Sequence, residues 1–159
     1  CKRMNLTFPL HNIVRSGGGE EHKAAYAKFF EEYDSKRVTY DCHLTVSNET
    51  ANNPDLLYRC LSILYALVYH SRTHYKVDYS FMLGTFHAGT HKTFQKMGAK
   101  PFQNLGPIHL ASYDNQDVMM MLCDGNFSQK TISLASEYAH LWNNRSVISA
   151  DTREKIKVA

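Results

Sequence analysis

Between residues 77 and 102 the hydrophobic period of the chain changes once, which dictates a strand running through a tight loop into a short helix. Val77, Tyr79, Phe81 and Leu83 alternate with Asp78, Ser80 and Met82, giving one apolar and one mixed face. From His91 to Met97 the spacing becomes helical, with Phe94 and Met97 on one side. Gly98 then stands where a helix closes through a left-handed residue.

The remaining segments alternate in the same way, with no internal repeat and no low-complexity linker. Residues 3–8 predict a strand ended by Pro9, and Ser16-Gly17-Gly18-Gly19 predicts a break. A helix over 20–33 follows, with acids at its start and Ala24, Ala27 or Lys28, and Phe29 or Phe30 at helical spacing. Val38, Tyr40, Cys42, Leu44 and Val46 alternate strictly with Thr39, Asp41, His43 and Thr45, the cleanest strand in the sequence. Asn53-Pro54-Asp55 reads as an N-cap, a first-turn proline and a dipole-matching acid. They open a helix to residue 70 whose buried stripe is Leu57, Cys60, Leu61, Leu64, Leu67 and Val68. Residues 107–113 and 118–123 predict two strands joined as a hairpin through Asp114-Asn115-Gln116-Asp117. An amphipathic helix over 128–142 turns Ile132, Ala135, Ala139 and Trp142 inward, and Asp151-Thr152-Arg153-Glu154 predicts the start of a capped tail helix.

With 159 residues, 43% of them hydrophobic, the chain is long enough to bury a core without disulfide or metal staples, so one domain over 1–159 is expected. The longest apolar run, 63–69, is far short of the roughly 20 residues of a membrane-spanning helix. A formal charge of +3 with basic and acidic residues intermixed calls for no nucleic-acid partner. Cys1, Cys42, Cys60 and Cys123 lack Cys-x-x-Cys spacing and read as reduced thiols of a cytoplasmic protein. Asn5, Asn48, Asn126 and Asn144 each begin an Asn-x-Ser/Thr triplet, a glycosylation acceptor only in a secreted chain. Cys1 at the first position admits an N-terminal nucleophile, but the residues that follow carry nothing else of such enzymes.

The strand, loop and helix ending Phe94-Gln95-Lys96-Met97-Gly98-Ala99 resemble the acyl-donor segment of the GNAT superfamily of N-acyltransferases, whose helix ends in Tyr-x-x-x-Gly-Phe. The order strand, helix, strand, helix, strand, strand over 38–123 is similar to the second half of that fold. There the strands before and after the long helix splay apart to admit a pantetheine arm. A narrower likeness, at the level of pattern and over half the chain, is to the acyl-homoserine-lactone synthases and N-acyl amino acid synthases, carried by His43-Leu44-Thr45-Val46, Leu57-Tyr58-Arg59-Cys60-Leu61, Leu64-Tyr65-Ala66 and Met97-Gly98. The resemblance implies an α/β (α+β) domain with a mixed, mostly antiparallel sheet flanked by helices, and residues 128–159 as a helical extension. The first elements of a complete fold of this type would precede Cys1 or be replaced by residues 3–33. It also implies transfer of an acyl group from acyl carrier protein or coenzyme A to the amine of an amino acid or similar small molecule. No cofactor would be held permanently, acyl-coenzyme A or an acyl-phosphopantetheine serving as co-substrate. Donor-binding positions would be Val46, Asn48, Asn53, Asp55, His87 and Phe94. The chain departs from the family in carrying Phe94 for the acid tyrosine, Ala99 for phenylalanine, His43 for an arginine, and no glycine between Ser47 and Pro54, where a pyrophosphate cradle is usual.

Acyl transfer to an amine needs a group that takes the ammonium proton. Asp41 and His43 share the polar face of their strand, and His43, with a reference pKa near 6.5, is the better base. Two other classes compete. A domain of this shape without catalysis would bind a ligand or protein partner. A zinc-dependent hydrolase would use His87 and His91, four apart, with His43 or His109 as third ligand. Tyr26, Phe29, Phe30, Tyr33, Tyr58, Tyr65 and Tyr69 read either as core or as the lining of an acyl-chain tunnel.

Overall fold

The computed structural model describes residues 9–41, 47–111, 115–148 and 155–157. In chain order the elements are α1 (Pro9–Gly17), α2 (Glu20–Glu32), β1 (Val38–Asp41), α3 (Asn48–Ala51), α4 (Pro54–Tyr75), β2 (Tyr79–Thr85), α5 (Thr90–Met97), β3 (Lys100–Pro101), β4 (Ile108–Leu110), β5 (Gln116–Cys123), α6 (Gln129–Glu137), α7 (Ala139–Asn143), β6 (Ser146–Ile148) and β7 (Lys155–Lys157). They divide into two compact units, Cys1–Thr45 with Lys76–Phe127, and Val46–Tyr75 with Ser128–Ala159.

The first unit is built on a five-stranded open sheet of order β1-β2-β5-β3, with β4 also pairing β5. Only β1 and β2 are parallel; the other pairings are antiparallel, so the fold is α+β with a mostly antiparallel sheet, as expected. Parallel neighbours need a long crossover, and the segment between β1 and β2 carries α3 and α4.

One face of this sheet carries Tyr79, Phe81 and Leu83 of β2 and Val118, Met120 and Leu122 of β5, which meet Leu10 and Val14 of α1 and Tyr26 and Phe29 of α2 in the main core. Phe29 sits at its centre, edge-on to Phe81 at 5.1 Å, Tyr79 at 5.2 Å and Phe102 at 5.6 Å between ring centroids. The other face pairs Ser80 with Cys123, Met82 with Met121 and Gly84 with Met119. Ser80 and Met82 are as buried as Phe81, because β2 lies inside the sheet and is covered on both faces. The mixed face expected for this strand is therefore interior.

Pro9, expected to end a strand, is the first residue of helix α1. Proline has no N–H to lose at the first helical position, and Leu10 and Val14, one turn apart, are both buried. The strand expected over 3–8 lies outside the described residues. In α2 the inward residues are His22, Tyr26 and Phe29; Phe29 is as expected, while His22 and Tyr26 take the place of Ala24 and Ala27. His22 is buried and its Nε2–H donates to the Gly106 carbonyl at 3.0 Å. The two strands pair antiparallel as expected, Ile108 to Leu110 with Val118 to Gln116, but Gln116 and Asp117, expected in the turn, already belong to β5.

In the second unit α4 and α6 pack together, and His70 Nε2–H donates to the Ala135 carbonyl at 2.8 Å. Helix α4 runs on to Tyr75, and its fully buried residues are Ser62, Tyr65, Ala66 and Arg72, with Leu67 exposed. The segment expected as one helix over 128–142 breaks at Tyr138 into α6 and α7. Thr131, Leu134 and Ala135 face inward, while Ile132 is exposed. Ser128 caps α6, its Oγ accepting from Thr131 N at 3.2 Å. Lys155–Lys157 pairs with Ser146–Ile148 as an antiparallel strand where a tail helix was expected; Asp151 to Glu154 lie outside the described residues.

Candidate functional site

Because β1 and β2 are parallel, their carboxyl ends lie at the same edge of the sheet, the edge at which open sheets with parallel strands present ligand sites. Strand β1 pairs residue for residue from Val38 with Tyr79 to Asp41 with Met82. Thr39 and Ser80 join through their hydroxyls at 2.7 Å, which sets them on one face together with Asp41, Met82 and Gly84. Asp41 is half-buried there.

Gly84 interrupts the side-chain pattern of β2, and the reason is close approach of the next helix. A methyl group at this position would fall against the Cα of His91 and come within 2.7 Å of its N and Cβ. The first turn of α5 therefore rests on the face of the sheet that carries Asp41. At the strand spacings, Asp41 and Gly84 lie about 8 Å apart.

The turn between β2 and α5 is tied by short-range hydrogen bonds. Thr85 N donates to Thr90 Oγ1 at 2.7 Å, the two threonine hydroxyls meet at 3.1 Å, and Gly89 N donates to the Phe86 carbonyl at 3.1 Å. Gly89 caps α5 with φ 65°, a left-handed conformation that glycine adopts at no steric cost. His91 Nδ1–H donates to the Thr85 carbonyl at 3.0 Å, and the Phe86 ring packs on the imidazole at 4.5 Å. Phe86, His87 and Ala88 are exposed. In the neutral imidazole a proton fixed on Nδ1 leaves the lone pair on Nε2, the form that accepts a proton.

At its far end α5 closes through Gly98 at φ 116°, as expected. Phe94 is buried on the inner face of this helix with Met97, so its ring is a packing residue. His87 belongs to the exposed turn. His43 and Val46 lie outside the described residues.

The other expected donor-binding positions belong to the second unit. Ser47 caps α3, which begins at Asn48, with its Oγ accepting from Thr50 N at 3.2 Å. Asn53 caps α4, its Oδ1 accepting from Leu56 N at 3.1 Å, so that oxygen is committed to the helix. Asp55 is exposed in the first turn of α4.

Of the set considered for zinc, His43 lies outside the described residues. His109 donates at Nδ1 to Asp117 Oδ1 at 2.8 Å and faces Asn115 Oδ1 from Nε2 at 3.1 Å, which engages both ring nitrogens. Among the described residues no three His, Cys, Asp or Glu side chains are grouped to hold a metal ion. Among them also, no helix is long and apolar enough to cross a membrane. Of the aromatic set, Tyr26, Phe29 and Tyr65 are buried, Phe30 and Tyr33 pack against the main core, and Tyr58 is exposed with Lys130 Nζ 5.0 Å from its ring centroid.

The chain matches no protein-family model, no curated protein and no solved structure. The class that its fold defines is thus an open α+β sheet with one parallel pair among the described residues, with Asp41 on the face on which the first turn of α5 rests.

The arrangement around His91 escaped sequence reasoning, which considered this residue only as a metal ligand. Gly84 inside an otherwise apolar strand is the signal that pointed to it, since a glycine there marks a place where another backbone comes close.

Proposed function

We propose that this protein is an N-acyltransferase that moves an acyl group from a thioester carrier, acyl carrier protein or coenzyme A, to the amine of an amino acid or similar small molecule. The observation that carries the reading is the parallel β1–β2 pair, joined through the long α4 and followed by a helix closed at Gly98, with Asp41 and a proton-accepting histidine on one face at its carboxyl end. This is the strand order in which the resembling family admits a pantetheine arm, and it supplies the two things the chemistry needs. An extended thiol arm lies along the ends of the strands, and a base faces the entering amine. Asp41 would hold the ammonium group of the acceptor by charge, and His43 is the second candidate base.

A non-catalytic domain that binds a ligand or protein partner is the second reading. Phe94, buried and without a hydroxyl where the family has its acid tyrosine, favours it. Native mass spectrometry of the full chain with acetyl-coenzyme A, long-chain acyl-coenzyme A and acyl carrier protein, followed by product analysis with a panel of amino acids, separates the two. Formation of an N-acyl product names the donor and supports transfer. A folded chain that binds no thioester and forms no product refutes it.

A further inference from the structure

We infer that His91 is the group that takes the proton from the acceptor amine; this rests on the acyl-transfer reading and assigns a residue to its central step. Three independent features prepare the ring for that role. Its Nδ1–H is held by the Thr85 carbonyl at 3.0 Å, which fixes the tautomer and leaves Nε2 basic. Its backbone is seated on Gly84, the one position of β2 where a side chain would displace it. The Phe86 ring against it at 4.5 Å restrains rotation of the imidazole. Thr85, whose carbonyl holds the ring, is itself tied to Thr90 at the start of α5, so the base sits on a turn braced at both ends. Among the described residues, the titratable groups at this end of the sheet are Asp41 on β1, His87 in the turn, Lys92 on α5, Asp117 on β5 and His109 on β4.

In the step, the ammonium group of the acceptor passes one proton to Nε2 and the freed amine attacks the thioester carbonyl carbon. A C–N bond forms, the C–S bond breaks with its electron pair leaving on sulfur, the imidazolium returns its proton to the departing thiolate, and the second proton of the attacking nitrogen is released to solvent. The products are an amide, the free thiol and one proton, with no oxidant or other reactant required.

The test compares the full-length wild-type chain with His91→Asn and His43→Ala, measuring kcat/KM against pH with the thioester and amine that the wild type uses. Asparagine keeps an N–H to donate to the Thr85 carbonyl and removes Nε2. The expected result is a loss of about 100-fold or more in His91→Asn, the usual worth of a general base, with the acidic limb of the profile gone and the thermal unfolding curve retained. His43→Ala keeps that limb. His91→Gln, assayed in the same way, serves if the asparagine variant does not fold. A wild-type rate and profile in the His91 variants, or loss of the limb in His43→Ala instead, overturns the assignment while leaving acyl transfer standing. Long-range proton–nitrogen NMR showing the His91 proton on Nε2 also overturns it. A wild-type chain that acylates no amine from any thioester refutes the function itself, and the assignment with it.

Discussion

Replacing Gly84 by alanine tests the contact on which the candidate site is built. The backbone at Gly84 is not left-handed, so alanine meets no conformational penalty of its own there and the whole effect is steric. Its methyl group would fall against His91 Cα and lie 2.7 Å from His91 N and Cβ, whereas atoms of this kind rest at about 3.5 Å, so the start of α5 must retreat by at least about 0.8 Å. Both ties across the turn, Thr85 N to Thr90 Oγ1 at 2.7 Å and His91 Nδ1 to the Thr85 carbonyl at 3.0 Å, would then stretch to or beyond hydrogen-bonding range. Overpacking costs roughly 1–3 kcal/mol and each weakened hydrogen bond about 0.5–1.5 kcal/mol. Restricting the unfolded chain returns about 0.4–1 kcal/mol. The net destabilisation is therefore about 2–4 kcal/mol, a fall of roughly 1–2 M in the urea midpoint at a typical slope. Gly106→Ala is the control, since a methyl there meets nothing within 4 Å and the backbone is not left-handed. It is expected to be neutral or slightly stabilising. Urea unfolding followed by circular dichroism, with equal midpoints for the two variants, would refute the close approach of α5 to β2.

Phe29→Ala removes the ring at the centre of the main core, where it meets Phe81, Tyr79 and Phe102 edge-on, and is expected to cost about 3–5 kcal/mol in the same unfolding assay. A loss below 1 kcal/mol would show that α2 does not pack on the sheet there. Hydrogen bonding to Asp117, then to Asn115, raises the pKa of His109 above its ordinary 6.5, because only the protonated ring can donate at both nitrogens. Since the folded value is the higher one, this contribution to stability is complete below pH 6.5 and is lost as the pH rises through the folded pKa. An NMR titration should place the His109 midpoint higher in the wild type than in Asp117→Asn; equal midpoints would exclude the pairing.

The legible part of the site was its local geometry. Gly98 as the end of α5, Asn53 as the cap of α4, and the pairing of β4 with β5 each depend on residues within a few positions of one another, so the sequence pattern contains their cause. The placing of Asp41 on the sheet face where the first turn of α5 rests was not legible, because it depends on β1 lying beside β2 in parallel. Two strands separated by α3 and α4 carry no local mark of being neighbours.

The sequence by itself determined where β1, β2, β5 and most helices form, since period, caps and glycines act over one or two turns of chain. It left open which side of a helix turns inward: Ala24 and Ala27 on α2 fit a helical stripe about as well as His22 and Tyr26, and burial went to the residues that met Phe81 and Gly106. The tertiary structure alone decided that β2 is covered on both faces, that Pro9 opens a helix, and that His91 holds its proton on Nδ1. Those outcomes belong to contacts between segments distant in sequence or to the closing of a turn in three dimensions, where packing outweighs local preference.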